Sequence, residues 1–192
     1  MNDFFSGLEF LREIFIFIVE NTSNIRFDKR IKTKKDLEKA IIMTEDNQKL
    51  ERLCLVAYDM KEINLMYACI EKLSNAVHIS NIITYIIEDN FSNDPSIKEF
   101  INALLDKMTN NIYIERILEA YFRNQTFTEE DKLEFIDKHI HQMTNNQYLY
   151  LFLEFLVKNN NTNLAIKHQE KLTNKTYYNK FKQLLISVDK IE

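Results

Sequence analysis

The sequence predicts an all-α protein made of stacked helix pairs. Three observations carry that reading: the near absence of glycine and proline, apolar residues recurring at helical spacing, and an internal repeat. Only one Gly and one Pro occur in 192 residues. Sheets joined by tight turns, phosphate-cradling loops and strained nucleophile elbows lean on glycine for positive φ or close backbone approach. A chain almost without it is expected to join helices through Asn-rich turns, because Asn is the next best residue in the left-handed region. The 45% apolar and 28% charged fractions are those of a folded globular chain, long enough for one domain of ordinary size or a short repeat array.

The elements follow in order. Residues 1–20 are apolar, but the uninterrupted run is only 14–19, with Glu9, Arg12 and Glu13 before it and Glu20 after it. That is too short to span a bilayer and lacks a small-residue cleavage site, so it reads as an amphipathic or buried first helix. Residues 21–35 read as a basic connection, with Arg26, Lys29, Arg30, Lys32, Lys34 and Lys35 against a single acid, Asp28. The chain is thus divided into 1–35, an N-terminal helix and basic connection, and 36–192, a helical-repeat domain, within one folded unit overall. Three helix starts are marked. Thr33 is placed to cap a helix through Met43, Asp94 followed by Pro95 makes a cap and first-turn pair, and Thr128 precedes Glu129, Glu130 and Asp131 in a first turn where the helix dipole favours acids.

Comparison of the chain with itself is the most informative step. Residues 97–124, IKEFINALLDKMTNNIYIERILEAYFRN, shifted by 35 places onto 132–159, KLEFIDKHIHQMTNNQYLYLFLEFLVKN, match at eleven positions, including Met108/Met143, Thr109/Thr144, Asn110/Asn145, Asn111/Asn146, Tyr113/Tyr148 and Glu119/Glu154. Leu73-Ser74-Asn75-Ala76 stands 35 residues before the first of these turns, and Leu172-Thr173-Asn174-Lys175 stands 29 after Met143. A more degenerate copy is expected to turn at Met43-Thr44. Each copy reads helix, apolar residue with Ser or Thr and Asn, then a second helix, giving about four or five pairs of roughly 30 to 35 residues. One such pair cannot bury its apolar face alone, so pairs stack and share a core. The segment YLYLFLEFLV is apolar on nearly every side and suits an inner layer, whereas DKLEFIDKHIHQ is polar on one side and suits an outer one.

With this period, residues 59–187, including LAIKHQEKLTNKTYYNKFKQLL, resemble tetratricopeptide-like α-solenoids. The resemblance is one of architecture, since the family's Trp, Leu-Gly, Ala and Pro signature is absent: there is no Trp, the only Gly is Gly7 and the only Pro is Pro95. It implies a right-handed solenoid of antiparallel helix pairs, and a non-catalytic scaffold whose concave face holds a peptide or a partner's helix.

Candidate chemistry is sparse. Cys54 and Cys69 lie within apolar helical patterns and read as small buried hydrophobes; with no CxxC or Cys/His ligand spacing, neither a disulfide framework nor a zinc site is expected, and a reducing, cytoplasmic setting follows. His139 and His141 point roughly 200° apart on a helix and cannot chelate together. No metal, cofactor or small-molecule substrate is expected, and no Ser/His/Asp or Cys/His arrangement or Gly-rich loop argues for an enzyme. The net charge of −4 gives no field that draws in nucleic acid. The repeat itself nominates binding residues. His78, Tyr113, Tyr148 and Tyr177 are equivalent at the start of successive second helices, as are Asn81, Arg116 and Lys180, and Thr84, Glu119, Glu154 and Gln183. Polar groups kept on an apolar inner helix are where a groove presents specificity. The leading expectation is therefore a protein or peptide partner, in an adaptor, inhibitor or immunity-type role, held by Asn81, Tyr113, Arg116, Glu119, Tyr148, Glu154, Tyr177 and Lys180. The alternative is binding to nucleic acid or an anionic membrane surface through the basic segment 26–35. Self-association through the N-terminal helix is compatible with either.

Overall fold

The computed structural model describes residues 31–89 and 94–189. The expected N-terminal helix, and Arg26, Lys29 and Arg30, lie outside the described residues. Within them every regular element is helical: α1 (Lys34–Met43), α2 (Asn47–Asp59), α3 (Ile63–Lys72), α4 (Ala76–Glu88), α5 (Pro95–Leu105), α6 (Asn111–Arg123), α7 (Glu129–His139), α8 (Asn146–Lys158), α9 (Thr162–His168) and α10 (Lys175–Asp189). Short 3₁₀ turns, Ile140–Gln142 and Gln169–Lys171, extend α7 and α9. The expected turns at Met43-Thr44, Leu73, Met108, Met143 and Leu172 all separate helices.

Side-chain caps fix where the helices begin. Thr33 and Thr128 each form a capping box, with Asp36 and Asp131 respectively bonding back to the cap backbone, and Asp94 caps α5 ahead of Pro95 in its first turn. Each cap satisfies a backbone N–H that the helix cannot satisfy itself. Lys34 and Lys35, assigned from the sequence to the connection, are the first two residues of α1, because the Thr33 cap starts the helix there. The turn asparagines also work differently from expectation. Asn75, Asn110 and Asn145 have extended backbones, with φ of −108°, −85° and −88°, and act as N-caps. Among the described residues the left-handed positions are Asn160 and Lys61, at φ 61° and 59°.

The chain divides between Lys72 and Leu73 into two compact units. In the first, α2 packs on α3, and α1 lies against both. Leu37, Leu50, Leu53, Ala57 and Met66 are fully buried there, together with Cys54 and Cys69. Both cysteines are buried, as the sequence predicts, and the Cys54 thiol is raised well above its ordinary range by its hydrogen bond to Cys69 and by burial. Lys72 closes the end of α1, its Nζ donating to the Ile41 and Ile42 carbonyls at 2.9 and 3.0 Å and pairing with Glu45 at 2.8 Å.

In the second unit α6 lies between α4 and α8, and α8 lies beside α10, so the second helices form one row. Helices α7 and α9 pack on α6 and α8 respectively. The apolar α8 is covered accordingly: Leu149, Phe152, Leu153, Phe155, Leu156 and Val157 are all buried. On α7, Phe135 and Ile136 are buried and Glu134, Asp137 and Lys138 are exposed.

The Met-Thr-Asn-Asn motif is accounted for by this packing. Met108 and Met143 are buried. The first Asn of each motif caps its helix, and the second reaches the next turn. Asn111 Nδ2 donates to Thr144 Oγ1 at 3.4 Å while its Oδ1 accepts from the Asn145 N–H at 2.9 Å. Asn146 repeats both bonds with Thr173 (3.2 Å) and the Asn174 N–H (2.9 Å). The first helices of the pairs are joined in the same repeating way: His139 Nε2 meets Asn102 Oδ1 at 2.6 Å, and His168 Nε2 meets Asp137 Oδ1 at 2.8 Å. Asn102 and Asp137 occupy equivalent positions, as do His139 and His168. Replacing Asn111 or Asn146 with Ala is expected to lower stability by about 1 kcal/mol each, read as a reduced urea midpoint at unchanged m-value.

Candidate functional site

The row α4, α6, α8, α10 carries the polar residues nominated from the repeat. Arg116 is exposed, and its Nη1 donates to Asn81 Oδ1 at 3.4 Å, so two equivalent positions on neighbouring helices touch. Glu119 pairs with Arg123 at 2.8 Å and Glu154 with Lys158 at 3.1 Å, each one helical turn on. This repeating acid–base pair fixes the two carboxylates along the helix surface, at a modest energetic gain for so exposed a cation. Lys180 is exposed, with its Nζ 5.4 Å from the Tyr177 ring centre. Tyr113, Tyr148 and Tyr177 are half-buried. The ring beside Tyr177 is Tyr150, with centres 5.9 Å apart. Tyr150 is two positions beyond Tyr148, so it points to another side of α8.

Between α4 and α6 lies a hollow of about 430 Å³, walled by Thr84, Glu88, Arg116, Glu119, Arg123, Asn124 and Gln125 and floored by Ala120. Arg116 and Glu119 meet here, whereas Glu154 stands one helix further on. Thr84 is buried, and its hydroxyl has no hydrogen-bond partner among the described residues. Asn124 shapes one end of the hollow: its Nδ2 donates to the Ile87 carbonyl and its Oδ1 accepts from the Thr126 N–H at 2.7 Å. A smaller cavity of about 140 Å³ opens between α5 and α7, where the Tyr121 ring is stacked between Phe127 and Phe135 at 4.1 and 3.6 Å. Burial, with the charges of Asp131 and Glu134, pushes the Tyr121 phenol above its ordinary range.

Several residues of this face were not nominated from sequence. Glu115, one turn before Glu119, is pushed up to about 7 by burial, by the Glu119 charge and by a hydrogen bond to Glu119, against the opposing charge of Arg123. A raised carboxyl opposes folding when it must ionise: Glu115 contributes fully below its unfolded pKa near 4.5, and that contribution is lost as pH rises through 7. Glu115→Gln is therefore expected to stabilise the protein at pH 8 by about 1–2 kcal/mol, after allowance for solvent screening, with no gain at pH 4.5. Urea unfolding at the two pH values measures the difference. Arg123, Lys158 and Ala120 were also missed, although each falls on a repeating row (Glu88, Arg123, Lys158; Tyr85, Ala120, Phe155, Leu184) that the 35-residue alignment contains.

Of the basic segment, Lys32, Lys34 and Lys35 are exposed, and Lys34 is paired with Glu62 at 2.6 Å, which raises its pKa through that hydrogen bond and charge. His139 is fully buried and held by Asn102 and Gln142, while His141 is exposed, so the two are separated as their spacing requires. Among the described residues no group of three or more His, Cys, Asp or Glu side chains is placed to hold a metal ion. No described helix is long and apolar enough to cross a membrane. No protein family, curated protein or solved structure matches the chain.

Proposed function

We propose that this chain is a non-catalytic helical-repeat protein, a right-handed tetratricopeptide-like solenoid, that binds a protein or peptide partner on the face formed by α4, α6, α8 and α10. The observation that carries the reading is the arrangement of side chains on that row. The helices bury apolar residues against their neighbours, and three of them keep charged groups at repeat-equivalent positions, with Arg116, Glu119 and Arg123 on α6, Glu154 and Lys158 on α8, and Lys180 on α10. A row of fixed charges around an open hollow selects a partner by electrostatic complementarity. An adaptor, inhibitor or immunity-type factor in the cytoplasm fits such a surface.

Affinity capture from the native host with the wild type and with a variant carrying Arg116→Ala, Glu119→Ala and Glu154→Ala together tests this. The variant's thermal unfolding is matched to the wild type first. Recovery of a specific partner by the wild type and its loss in the variant is the expected result. Undiminished recovery by the variant would place the partner elsewhere on the molecule.

A further inference from the structure

The hollow between α4 and α6 lies where one residue breaks a row of the repeat. Tyr85, Ala120, Phe155 and Leu184 are equivalent positions on α4, α6, α8 and α10, and Ala120 is the only small side chain among them. In the next gap along, between α6 and α8, the equivalent space is filled. The Phe155 ring is buried there against Phe122, with ring centres 5.5 Å apart and nearly perpendicular, and the Arg123 guanidinium lies 4.8 Å from its centre. The residues around the two spaces correspond one for one: Thr84 and Glu88 stand where Glu119 and Arg123 stand in the filled gap. The protein thus holds an aromatic ring of its own in one gap and lacks it in the other.

Chemistry at the vacant position differs from that of the filled gap. The group above the ring is a carboxylate, Glu88, where the filled gap has a guanidinium. A carboxylate repels the face of a ring but accepts a hydrogen bond from a phenol. Arg116, one turn before Ala120, offers a planar cation at the side of the hollow. The Thr84 hydroxyl, which has no hydrogen-bond partner among the described residues, adds polarity to the wall.

We infer that the hollow over Ala120 receives a tyrosine side chain of the partner, its ring resting on Ala120 and its hydroxyl donating to the Glu88 carboxylate. This rests on the partner-binding reading above and specifies the anchor that such a partner supplies. A single aromatic anchor in a polar-rimmed hollow is how interfaces of this kind concentrate their binding energy.

The test needs no knowledge of the partner. N-acetyl-L-tyrosinamide is titrated into the ¹⁵N-labelled full chain, with N-acetyl-L-alaninamide as the control. Saturable amide shifts confined to the neighbourhood of Thr84, Ala120 and Arg123, with the alaninamide at least about tenfold weaker, are expected. Ala120→Phe, which copies α8, and Ala120→Leu, which copies α10, are each expected to abolish the shifts while leaving the helical circular dichroism unchanged. If one of the two does not fold, the other decides. Absence of localised shifts in the wild type, or shifts that persist in a folded filled variant, overturns the inference. Either failure leaves the capture result for the Arg116/Glu119/Glu154 variant standing, so the anchor and the partner-binding face are judged separately.

Discussion

Acidification from pH 6.5 towards pH 4 is expected to remove about 3 kcal/mol of stability through one side chain, His139. Its imidazole is fully buried, with Nε2 on Asn102 Oδ1 at 2.6 Å and Nδ1 facing Gln142 Nε2 at 3.2 Å. The pairing requires a neutral ring that donates from Nε2 and accepts at Nδ1. Burial lowers its pKa to about 4, against the opposing pull of Asp106. A histidine depressed in the folded state contributes its full stability above the unfolded pKa near 6.5 and loses it as pH falls to the folded value. His168, also lowered by burial despite Asp137, acts in the same direction. Glu115 acts oppositely over nearly the same window, because its raised carboxyl gains stability as pH falls from 7. The Glu115→Gln variant should therefore show a steeper loss between pH 7 and pH 4.5 than the wild type, and His139→Asn a shallower one. Urea titrations at half-unit pH steps measure all three curves, and a wild-type curve that His139→Asn leaves unchanged would contradict the assignment.

Truncating Phe152 to Ala is expected to cost about 3–5 kcal/mol, the range for a large aromatic lost from a core that relaxes only in part. Phe152 is fully buried on α8, and its ring plane is inclined 21° to that of Phe155 with centres 6.0 Å apart. Its neighbour Leu151 is 37% exposed and takes the position that Arg116 holds on α6. Leu151→Ala should change stability by less than about 0.5 kcal/mol. The contrast between adjacent residues of one apolar run reports which side of α8 is covered. Equal costs for the two would mean that α8 does not lie between α6 and α10 as described.

Much of this architecture is legible in the sequence because local chemistry decides it. Thr33, Asp94-Pro95 and Thr128 announce helix starts through caps that depend on residues no more than three apart. Cys54 and Cys69 are buried because they sit on the apolar stripes of α2 and α3. The 35-residue repeat locates the turns, and the apolar run of α8 places it among several neighbours. What sequence reading misses depends on partners far apart in the chain. The local sequence sets His139 only beside His141, whereas its partner is Asn102; the repeat holds that answer, since Asn102 and Asp137 are equivalent and so are His139 and His168. The turn asparagines suggest a left-handed backbone by composition. Their role as caps and as ties to the next turn appears only when Asn111 is seen beside Thr144 and Asn145. For Glu115 the like-charged Glu119 one turn on is visible in the sequence, but the burial that contributes most to its raised pKa is not. The hollow over Ala120 is an absence, visible only by comparison with Phe155 at the equivalent position.

Everything proposed for this protein depends on the second helices of successive pairs lying side by side and forming one face. Nuclear Overhauser contacts between assigned aromatic rings measure that arrangement. Cross-peaks are expected between Phe122 on α6 and Phe155 on α8, whose ring centres are 5.5 Å apart, and between Tyr150 on α8 and Tyr177 on α10, at 5.9 Å. If both pairs are silent in a protein whose helices are formed and whose rings are assigned, the row does not exist, and the proposed binding face goes with it.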